Sequence, residues 1–561
     1  MNSAVLVLVG LAALSAGYAF YSKFIAERIY RLDPDFVTPA HAMRDDIDYV
    51  PTHPVVLWGN HFTGVAGAAP IIGPAIAVIW GWLPAVIWVV LGTIFFAGVH
   101  DCGALWASVR NRARSMGALT EDVVSSRART LFMIVTFLLL LMVNAVFGVA
   151  IAGEFIATPS SVVPMWSAMP LAVAIGLLIY RTRVGILWPT VIVTILLYIV
   201  MYLGESMPVV LPERLFGLGM AAQWIVILFI YAGIASMLPV WLLLQPRGYI
   251  SGIQLFVGLG LMYGAVLVSQ PTIVAPAINT NVPAGTPPIV PLLFVTIACG
   301  AISGFHGLVA AGTTSKQLDK ETDARFVGYL GSAGEGALAL VTIIAATAGF
   351  ATLADWEATY SSFGQGGISA FVHGGADILA AVGLPVAFGR TLLTVMAVLF
   401  ASTTMDAGVR LQRYIVQEWG VIHGIRALQR SSIGTLIAVG SCLVLAFGAG
   451  GADGAGGMII WPLFGTTNQL LAGLTLLVVS VMLVKLGRPT LYTMVPMFFV
   501  TGMALLAALY QLWNLYVTGQ YLLASLDVLI VVAALLIMLE ALAARPRRPW
   551  RELMGSSGGP A

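Results

Sequence analysis

The sequence predicts an all-α protein that crosses a lipid bilayer many times. Of its 561 residues, 59% are hydrophobic and 9% are charged, whereas a soluble domain has about 45–50% apolar and about 25% charged residues. Apolar segments of about 20 residues, the length that spans the hydrocarbon core, recur along the whole chain. The formal net charge of +2 gives no indication of nucleic-acid binding.

Segment length predicts the number of crossings. The apolar segments that satisfy the length rule number about 15. The first of them lacks the basic residues that precede the apolar core of a signal peptide, so we expect a retained helix. The predicted spans lie near residues 4–22, 54–80, 84–101, 128–153, 164–180, 184–204, 221–245, 250–270, 289–312, 328–353, 386–407, 432–449, 457–484, 491–516 and 521–543.

Basic residues in the loops predict the orientation. Lys and Arg collect in alternate loops, and the intervening loops are nearly free of them. Because cytoplasmic loops carry this excess, we predict an external N-terminus and a cytoplasmic C-terminus. The alternation requires that the Gly-rich stretch 354–385 does not cross, so it is predicted to be a re-entrant or interfacial helix. The polar segment 24–53 is predicted to be a solvated cytoplasmic loop, and 544–561 a disordered tail.

The span 54–80 is predicted to be a broken helix. Asn60 and His61 stand inside it, and the Gly/Pro run 64–74 follows them. Backbone groups that a break frees at membrane depth are tolerated only inside protein or beside a polar cavity. We therefore expect this break to line a mid-membrane binding site, as broken helices do in transporters.

A second interruption, from Tyr231 to Pro239, falls in the span 221–245. The two interrupted spans have opposite predicted orientations, which favours two inverted repeats of five helices each. The predicted repeats are 54–204 and 221–407. The N-terminal segment 1–53 and the C-terminal helices 432–543 are then peripheral.

Ionisable side chains inside the predicted spans are costly and are functional candidates by default. His61 either binds an anionic or carbonyl group, relays a proton, or is hydrogen-bonded to a backbone carbonyl. His100 and Asp101 are adjacent, so they pass a proton or form an ion pair at a helix end. Asp406 and Arg410 are four residues apart on one helix face and can pair with each other.

The span 289–312 and the residues after it are rich in small and polar side chains. Ser303, Thr313 and Thr314 carry hydroxyls that can bind sodium or bond across helices, although such hydroxyls commonly return to carbonyls of their own helix. His306 is the less ordinary member of the segment, and Lys316 ends it.

Other polar features stand alone in their spans. Glu335, early in the span 328–353, is expected to face protein rather than lipid. A further Pro/Gly break beside the Asn468–Gln469 pair is predicted in the span 457–484. The cysteines show no paired spacing and the intramembrane histidines show no common ligand spacing, so we predict neither a disulfide nor a metal site. The chain has no phosphate-binding loop, no nucleophile elbow and no zinc-protease motif. We therefore expect no enzyme activity, no ATP-driven pumping by this chain alone and no cofactor.

Several long runs resemble the carbon starvation protein A family of bacterial inner-membrane transporters. They occur in the family's order and, taken together, they extend from about residue 50 to about residue 485. The runs are NHFTGVAGAAPIIGPAIAVIWGWLPA (60–85), GVHDCGALWASVRNR (98–112), PVWLLLQPRGY (239–249), ACGAISGFHGLVAAGTTSKQL (298–318), TTMDAGVRLQRY (403–414) and WPLFGTTNQLLAG (461–473).

The resemblance implies an inner-membrane importer of peptides or of pyruvate that is driven by a proton or sodium gradient. It also implies the inverted five-helix repeat of the amino acid–polyamine–organocation superfamily, in which broken helices hold the substrate. The predicted substrate-binding residues are Asn60, His61, Gly64, Gly67, Ser236, Trp241, Gln245, Ser303 and His306. The predicted coupling or gating residues are His100, Asp101, Thr313, Thr314, Lys316, Glu335, Asp406 and Arg410.

The chain departs from the family pattern at two positions. Asn60 stands where the family usually has histidine, and Gly248 stands where it usually has aspartate, which bears on any coupling role at that position. Two other functions stay open from the sequence: a membrane sensor that binds a nutrient without concentrating it, and an intramembrane enzyme. Binding without concentrative uptake would indicate the sensor.

Overall fold

The computed structural model describes residues 1–46, 48–181, 187–239, 242–450 and 457–543, which are mainly helical. A short hairpin, β1 (Arg214–Leu215) and β2 (Leu218–Gly219), precedes the tenth helix. The first ten helices are α1 (Ser3–Tyr30), α2 (Pro39–Ala42), α3 (Pro54–Val65), α4 (Ala69–Trp80), α5 (Trp82–Arg110), α6 (Met116–Val123), α7 (Ser126–Ala157), α8 (Val162–Arg181), α9 (Leu187–Gly204) and α10 (Met220–Met237). The remaining helices are α11 (Leu244–Ser269), α12 (Ile289–Thr296), α13 (Gly304–Gly312), α14 (Arg325–Ala348), α15 (Leu353–Thr359), α16 (Gly367–Ala380), α17 (Val386–Ile422), α18 (Ser431–Gly448), α19 (Gly457–Lys485), α20 (Leu491–Val517) and α21 (Tyr521–Ala543).

Each predicted span contains helix in its described residues. In the described residues, 12 helices are long and apolar enough to cross a membrane, and the bent pair α3–α4 raises that number to 13. The protein is therefore a multi-pass membrane protein. The larger predicted count also included α9, which is shorter, and the segment that forms the half-helices α12 and α13. Four predicted ends were wrong: α1, α5 and α17 continue to Tyr30, Arg110 and Ile422, and α10 stops at Met237.

The two longest helices, α7 and α17, pack against each other at the centre of the molecule. In the apolar 18-residue stretch of α17 that could span the membrane, 94% is buried inside the protein. Small residues allow the close approach: an added Cβ at Gly408 of α17 would overlap the side chain of Asn144 in α7. Because dispersion and close packing hold helices together in lipid, this pair forms a rigid centre.

The sequence predicted that all the C-terminal helices are peripheral. The structure differs, because one of them is buried. α18, α20 and α21 carry exposed apolar side chains such as Leu436, Phe498 and Leu539, which is the surface expected to face lipid. α19 is different, because 83% of its most apolar window is buried. It packs against α5, α7, α12 and α13. The predicted break in α19 was also wrong, because the helix continues through Pro462.

The stretch 354–385 forms α15 and α16, which pack against α4, α14 and α17. The Tyr360 hydroxyl donates to the carbonyl of Ala75 at 2.7 Å, and the Trp356 indole donates to the carbonyl of Ala346 at 3.2 Å. These bonds attach the stretch to the helix core, and its re-entrant or interfacial position stays a prediction. The predicted tail 544–561 lies outside the described residues.

Part of the polar segment 24–53 is held against the loop that follows α13. The predicted solvated loop agrees with the exposed residues 33–35 and 41–46, whereas 38–40 are buried. The backbone N–H of Thr52 donates to the carbonyl of Gln317 at 3.0 Å. The backbone N–H of Asp33 donates to Glu321 at 2.6 Å, and the buried Glu321 also pairs with Arg110 of α5. A buried carboxylate needs such partners, which fixes the segment in place.

We predict that Gly374→Ala destabilises the protein. An added Cβ at Gly374 of α16 would overlap the carbonyl oxygen of Ala345 in α14, and overpacking of this kind costs about 1–3 kcal/mol. Thermal unfolding of the detergent-solubilised protein measures the loss. Gly440→Ala is the matched control, because no heavy atom lies within 4 Å of an added Cβ there. Equal stability of the two variants would show that α16 is not packed against α14 as described.

Candidate functional site

The first broken helix lies where the Gly/Pro run predicts it. Helices α3 and α4 meet at a bend of 53° over residues 66–68. Pro70 stands in the first turn of α4, where the missing N–H of proline costs least. An added Cβ at Gly67 would lie 2.7 Å from the Thr404 hydroxyl of α17, so glycine permits α17 to approach the break.

The second break lies at residues 297–303, between α12 and α13, and not in the span 221–245. Gly300 has a φ of +92°, a conformation that glycine adopts without strain. The predicted break at Tyr231–Pro239 was wrong. Helix α10 is continuous and ends at Met237, because a residue that precedes proline is disfavoured in helical conformation.

Two amides of α19 bind the backbone groups that the second break frees. The Asn468 Oδ1 atom accepts from the backbone N–H of Phe305, in the first turn of α13, at 2.9 Å. The Gln469 side chain donates to the carbonyl of Phe294, near the end of α12. Adjacent residues of one helix therefore hold both half-helices.

Helix α5 binds the carbonyls of the unwound stretch itself. The Trp88 indole donates to the carbonyl of Ile297, and the Thr93 hydroxyl donates to the carbonyl of Gly300, both at 3.1 Å. Unsatisfied backbone groups cost several kcal/mol in a bilayer. The break is thus a stable, fully buried feature of the fold.

Five side chains form a histidine–carboxylate cluster beside this break. His306, in the first turn of α13, has Nδ1 at 2.8 Å from Asp101 Oδ2 and Nε2 at 2.9 Å from Glu335 Oε2. His100 Nδ1 lies 2.7 Å from the other oxygen of Asp101, and the Ser332 hydroxyl donates to Asp101 at 2.5 Å. All five side chains are buried.

Burial determines what the cluster can do. A buried carboxylate is stable only when it is paired or protonated. Here two carboxylates share the His306 imidazole, and Asp101 also contacts His100. The imidazole is the side chain whose proton is most easily exchanged near neutral pH. In this region of the described chain, Glu335 Oε1, His100 Nε2 and His306 Nε2 have no hydrogen-bond partner, so His306 contacts Glu335 at ion-pair distance without an aligned hydrogen bond. The arrangement can hold a proton and can take up or release one when the helices move.

His61 lies next to the cluster. Its Nδ1 atom lies 2.9 Å from the Thr314 hydroxyl, which connects α3 to the turn after α13. Its Nε2 atom has no hydrogen-bond partner within the described residues. An added Cβ at Gly331 would lie 2.9 Å from the His61 ring, and Gly331 precedes Ser332 of the cluster. The His61 ring therefore lies against α14 at the turn that carries Ser332 of the cluster.

A second buried ion pair joins α11 to α17. Arg247 pairs with Asp406 and donates to the Ser402 hydroxyl. The Tyr231 hydroxyl of α10 donates to Asp406 at 3.0 Å and accepts from Arg247 at 2.7 Å. Arg247 stands between the predicted spans 221–245 and 250–270, where a basic residue predicts a cytoplasmic loop, whereas the structure buries it completely.

The predicted pairing of Asp406 with Arg410 was wrong, because Asp406 pairs with Arg247. Arg410 instead donates to the carbonyls of Ala235 at 2.9 Å and Leu238 at 2.6 Å. These carbonyls lie at the end of α10, where the last groups of a helix lack intrahelical partners. Arg410 therefore caps α10.

Other predicted site residues lie away from the cluster. Asn60 is exposed on α3, and the Ser236 hydroxyl returns to the carbonyl of Gly233 in its own helix at 2.8 Å. Thr313 also bonds to its own helix. Lys316 pairs with Asp48 at 3.3 Å at the predicted cytoplasmic end.

Three predicted site residues belong near the first break or fall on segments that are not described. Gly64 packs α3 against α13, since an added Cβ would lie 3.4 Å from Val309. Trp241 and the side chain of Gln245 lie outside the described residues. At Gly248, where the family usually has aspartate, an added Cβ meets no heavy atom of the described residues within 4 Å.

The described residues contain no group of three or more histidine, cysteine, aspartate or glutamate side chains placed to bind a metal ion.

Comparison with known proteins identifies the family. A family model described as carbon starvation protein CstA matches residues 2–355 and 350–507. The chain belongs to the carbon starvation protein CstA family.

Curated relatives in the CstA family are named as transporters. The peptide transporter CstA of Campylobacter jejuni is 32% identical over 571 residues, which cover 90% of this chain and 79% of the relative. The pyruvate/proton symporter BtsT of Escherichia coli is 29% identical over 561 residues, which cover 86% of this chain and 78% of the relative.

Among solved structures, the fold is similar to that of a manganese transporter from Eremococcus coleocola, crystallised with an aromatic bis-isothiourea substituted compound. The TM-score is 0.53 at 13% identity, and the match covers 89% of this chain and 99% of that chain. At this identity the likeness shows the fold alone.

We predict that Arg247→Met destabilises the protein more than the double change Arg247→Met with Asp406→Leu. Removal of one partner leaves a buried charge unpaired, which costs about 3–5 kcal/mol, whereas replacement of both partners by apolar residues is often neutral. Thermal unfolding of the single and double variants measures the difference. A double variant less stable than the single variant would contradict the prediction.

Proposed function

We propose that this chain is a secondary active transporter of the bacterial inner membrane that imports peptides or a small carboxylate such as pyruvate together with protons. The observation that carries the proposal is the position of His306. Its imidazole lies between Asp101 and Glu335 in the first turn after the second break. A proton-exchanging group thus adjoins the region of the fold that is expected to bind substrate.

The curated relatives support the substrate class. The relatives named above are peptide transporters and a pyruvate/proton symporter, and the similarity covers more than three quarters of each. Peptides and pyruvate share a carboxylate group. The proposal therefore requires a site that accepts an organic anion.

The two breaks are suited to an organic anion. Helices α4 and α13 both begin at a break, so their N-terminal ends, which carry partial positive charge, lie inside the protein. N–H groups and the partial positive charge at a helix N-terminus attract carboxylates and phosphates. At α13 the Phe305 N–H is already bonded to Asn468, and Pro70 of α4 has no N–H, so the partial charge of the two ends is the main attraction. We place the substrate carboxylate between these ends, with Gly67, Ser303 and His61 nearest to it, as a binding site at the membrane midplane.

We further propose about 15 crossings, with an external N-terminus and a cytoplasmic C-terminus. Thirteen of these crossings are the helices described above as long and apolar enough to cross a membrane, with the bent pair α3–α4 included. The other two are α9 and the divided helix α12–α13. With these included, the loops rich in Lys and Arg fall on one side, and the loops on the other side are nearly free of them, with Arg214 as an exception. The first broken helix then runs outward and the second runs inward.

The same order supports an inverted repeat with corrected limits. In both halves a broken helix is followed by a crossing helix and, after shorter helices, by a very long helix. The shorter helices are α6 in the first half, α3–α4 to α7, and α15 and α16 in the second half, α12–α13 to α17. We propose that the repeats begin at residues 54 and 289 rather than at 54 and 221. This pairing also places the long helices α7 and α17 in equivalent positions against each other.

Protons fit the cluster better than sodium does. Sodium, like other hard cations, is bound by oxygen atoms, whereas imidazole nitrogens occupy the cluster. The hydroxyl of Thr313, a candidate sodium ligand in the sequence, bonds to its own helix, as membrane hydroxyls commonly do. In the proposed cycle His100, Asp101 and Glu335 set the protonation of His306, and Thr314 connects His61 to the same region.

We predict that His306→Gln abolishes concentrative uptake. Glutamine keeps hydrogen bonding but carries no exchangeable charge, so an acid-outside gradient should no longer drive accumulation, while substrate exchange across the membrane persists. The assay is uptake of labelled pyruvate and of a labelled dipeptide into proteoliposomes, under an imposed proton gradient or an imposed sodium gradient.

His373→Gln is the matched control, because His373 lies on α16 outside the cluster. It should retain proton-driven uptake. Accumulation driven only by sodium would contradict proton coupling. Binding of either solute without accumulation by the wild-type protein would instead indicate the sensor.

A further inference from the structure

Asn468 supplies the N-terminal cap of α13 from a different helix. The residue at the usual capping position, Ser303, makes no side-chain cap. A backbone N–H can only donate, so the Asn468 atom at 2.9 Å from the Phe305 nitrogen is the amide oxygen. Caps of this kind fix the start of a helix.

The Asn468 amide is also bonded through its nitrogen. It donates to the Ser303 hydroxyl at 3.0 Å and to the Cys299 sulfur at 3.3 Å. One side chain therefore holds the unwound stretch and the first turn of α13 together. Asn468 itself is fully buried, so loss of the amide would leave polar groups without water to replace it.

Close packing fixes the distance between α19 and α13. An added Cβ at Gly304 would lie 2.6 Å from the Ala472 nitrogen and 2.7 Å from Leu471 Cβ. One turn along, an added Cβ at Gly307 would lie 3.1 Å from the Thr475 hydroxyl and 3.2 Å from the His100 ring. The first turn of α13 is thus enclosed by α19 on one face and by the cluster on the other.

Helix α19 is itself held in place by α20. The Gln511 amide donates to the carbonyl of Pro462 at 3.1 Å and to the Thr466 hydroxyl at 2.8 Å. Both acceptors lie within two turns of Asn468 on α19. The helix that carries Asn468 is therefore held in place by hydrogen bonds to α20.

We propose that Asn468 is a positioning residue for proton coupling: it holds the first turn of α13 so that His306 bridges Asp101 and Glu335. His306 is the residue next to Phe305, so a shift of the capped turn moves the imidazole directly. The groups that face His306 are Asp101 and His100 from α5, and Glu335 from α14, with His61 of α3 nearby. This inference rests on the proposed function, because it assigns Asn468 a role in the same coupling step.

The test compares Asn468→Ala with Thr467→Ala in proton-driven uptake of labelled pyruvate or dipeptide into proteoliposomes across a range of external pH. Thr467 is the matched control, because it is adjacent and buried and, among the described residues, its hydroxyl bonds to the Leu463 carbonyl of its own helix at 2.8 Å. In Asn468→Ala we expect a lower maximal rate with KM unchanged within about twofold. We also expect the pH midpoint to move by about one unit to the acid side, because a displaced imidazole is less strongly stabilised by the two carboxylates. Thr467→Ala should keep the wild-type midpoint.

Asn468→Asp is the second variant and keeps the acceptor for the Phe305 N–H. It should retain more uptake than Asn468→Ala and move the midpoint to the alkaline side, because it adds a negative charge near His306. It also serves where the alanine variant does not fold. Wild-type midpoints in both Asn468 variants, or in the aspartate variant when it alone folds, would overturn the inference. If uptake by the wild-type protein did not depend on the proton gradient, the proposed function would be overturned instead.

Discussion

The need to satisfy freed backbone groups inside a membrane governs the arrangement around the second break. Every N–H and C=O that leaves a helix there requires a partner from protein, because lipid offers none. Helix α5 supplies Trp88 and Thr93, and helix α19 supplies Asn468 and Gln469. These helices must therefore lie on either side of the break, which explains why α19 is buried at the centre while its sequence neighbours α20 and α21 face outward.

Buried charge imposes a second requirement that divides the molecule. The histidine–carboxylate cluster joins α5, α13 and α14, whereas the Arg247–Asp406 pair joins α11 to α17. Each carboxylate is paired within its own group of helices. A movement of one group relative to the other therefore need not separate a buried ion pair, which would cost several kcal/mol.

The sequence predicted the spans and the first break because their signals are local. Segment length and the Gly/Pro run each require only neighbouring residues. The second break escaped prediction because Gly300 and Gly304 resemble the small residues that ordinary membrane helices use for packing, and Pro239 gave a stronger but misleading signal. Arg247 was missed because a cation near a predicted loop favours the cytoplasm. Only the fold brings Asp406 to it, since the two residues are far apart in the chain. The sequence identified five residues of this region as candidates but could not give the distances between them. They are His61, His100, Asp101, His306 and Glu335.

The position of His306 suggests how one residue can respond to both proton and substrate. It belongs to the first turn of α13, so it is covalently continuous with the unwound stretch and the N-terminal end proposed to bind a carboxylate. Its two ring nitrogens contact carboxylates on α5 and α14. Any rearrangement of the break that accompanies substrate binding changes these distances, and any change in His306 charge alters the forces on α13. Because coupling between two ligands is reciprocal, a proton that stabilises one position of α13 must also favour the substrate that binds it.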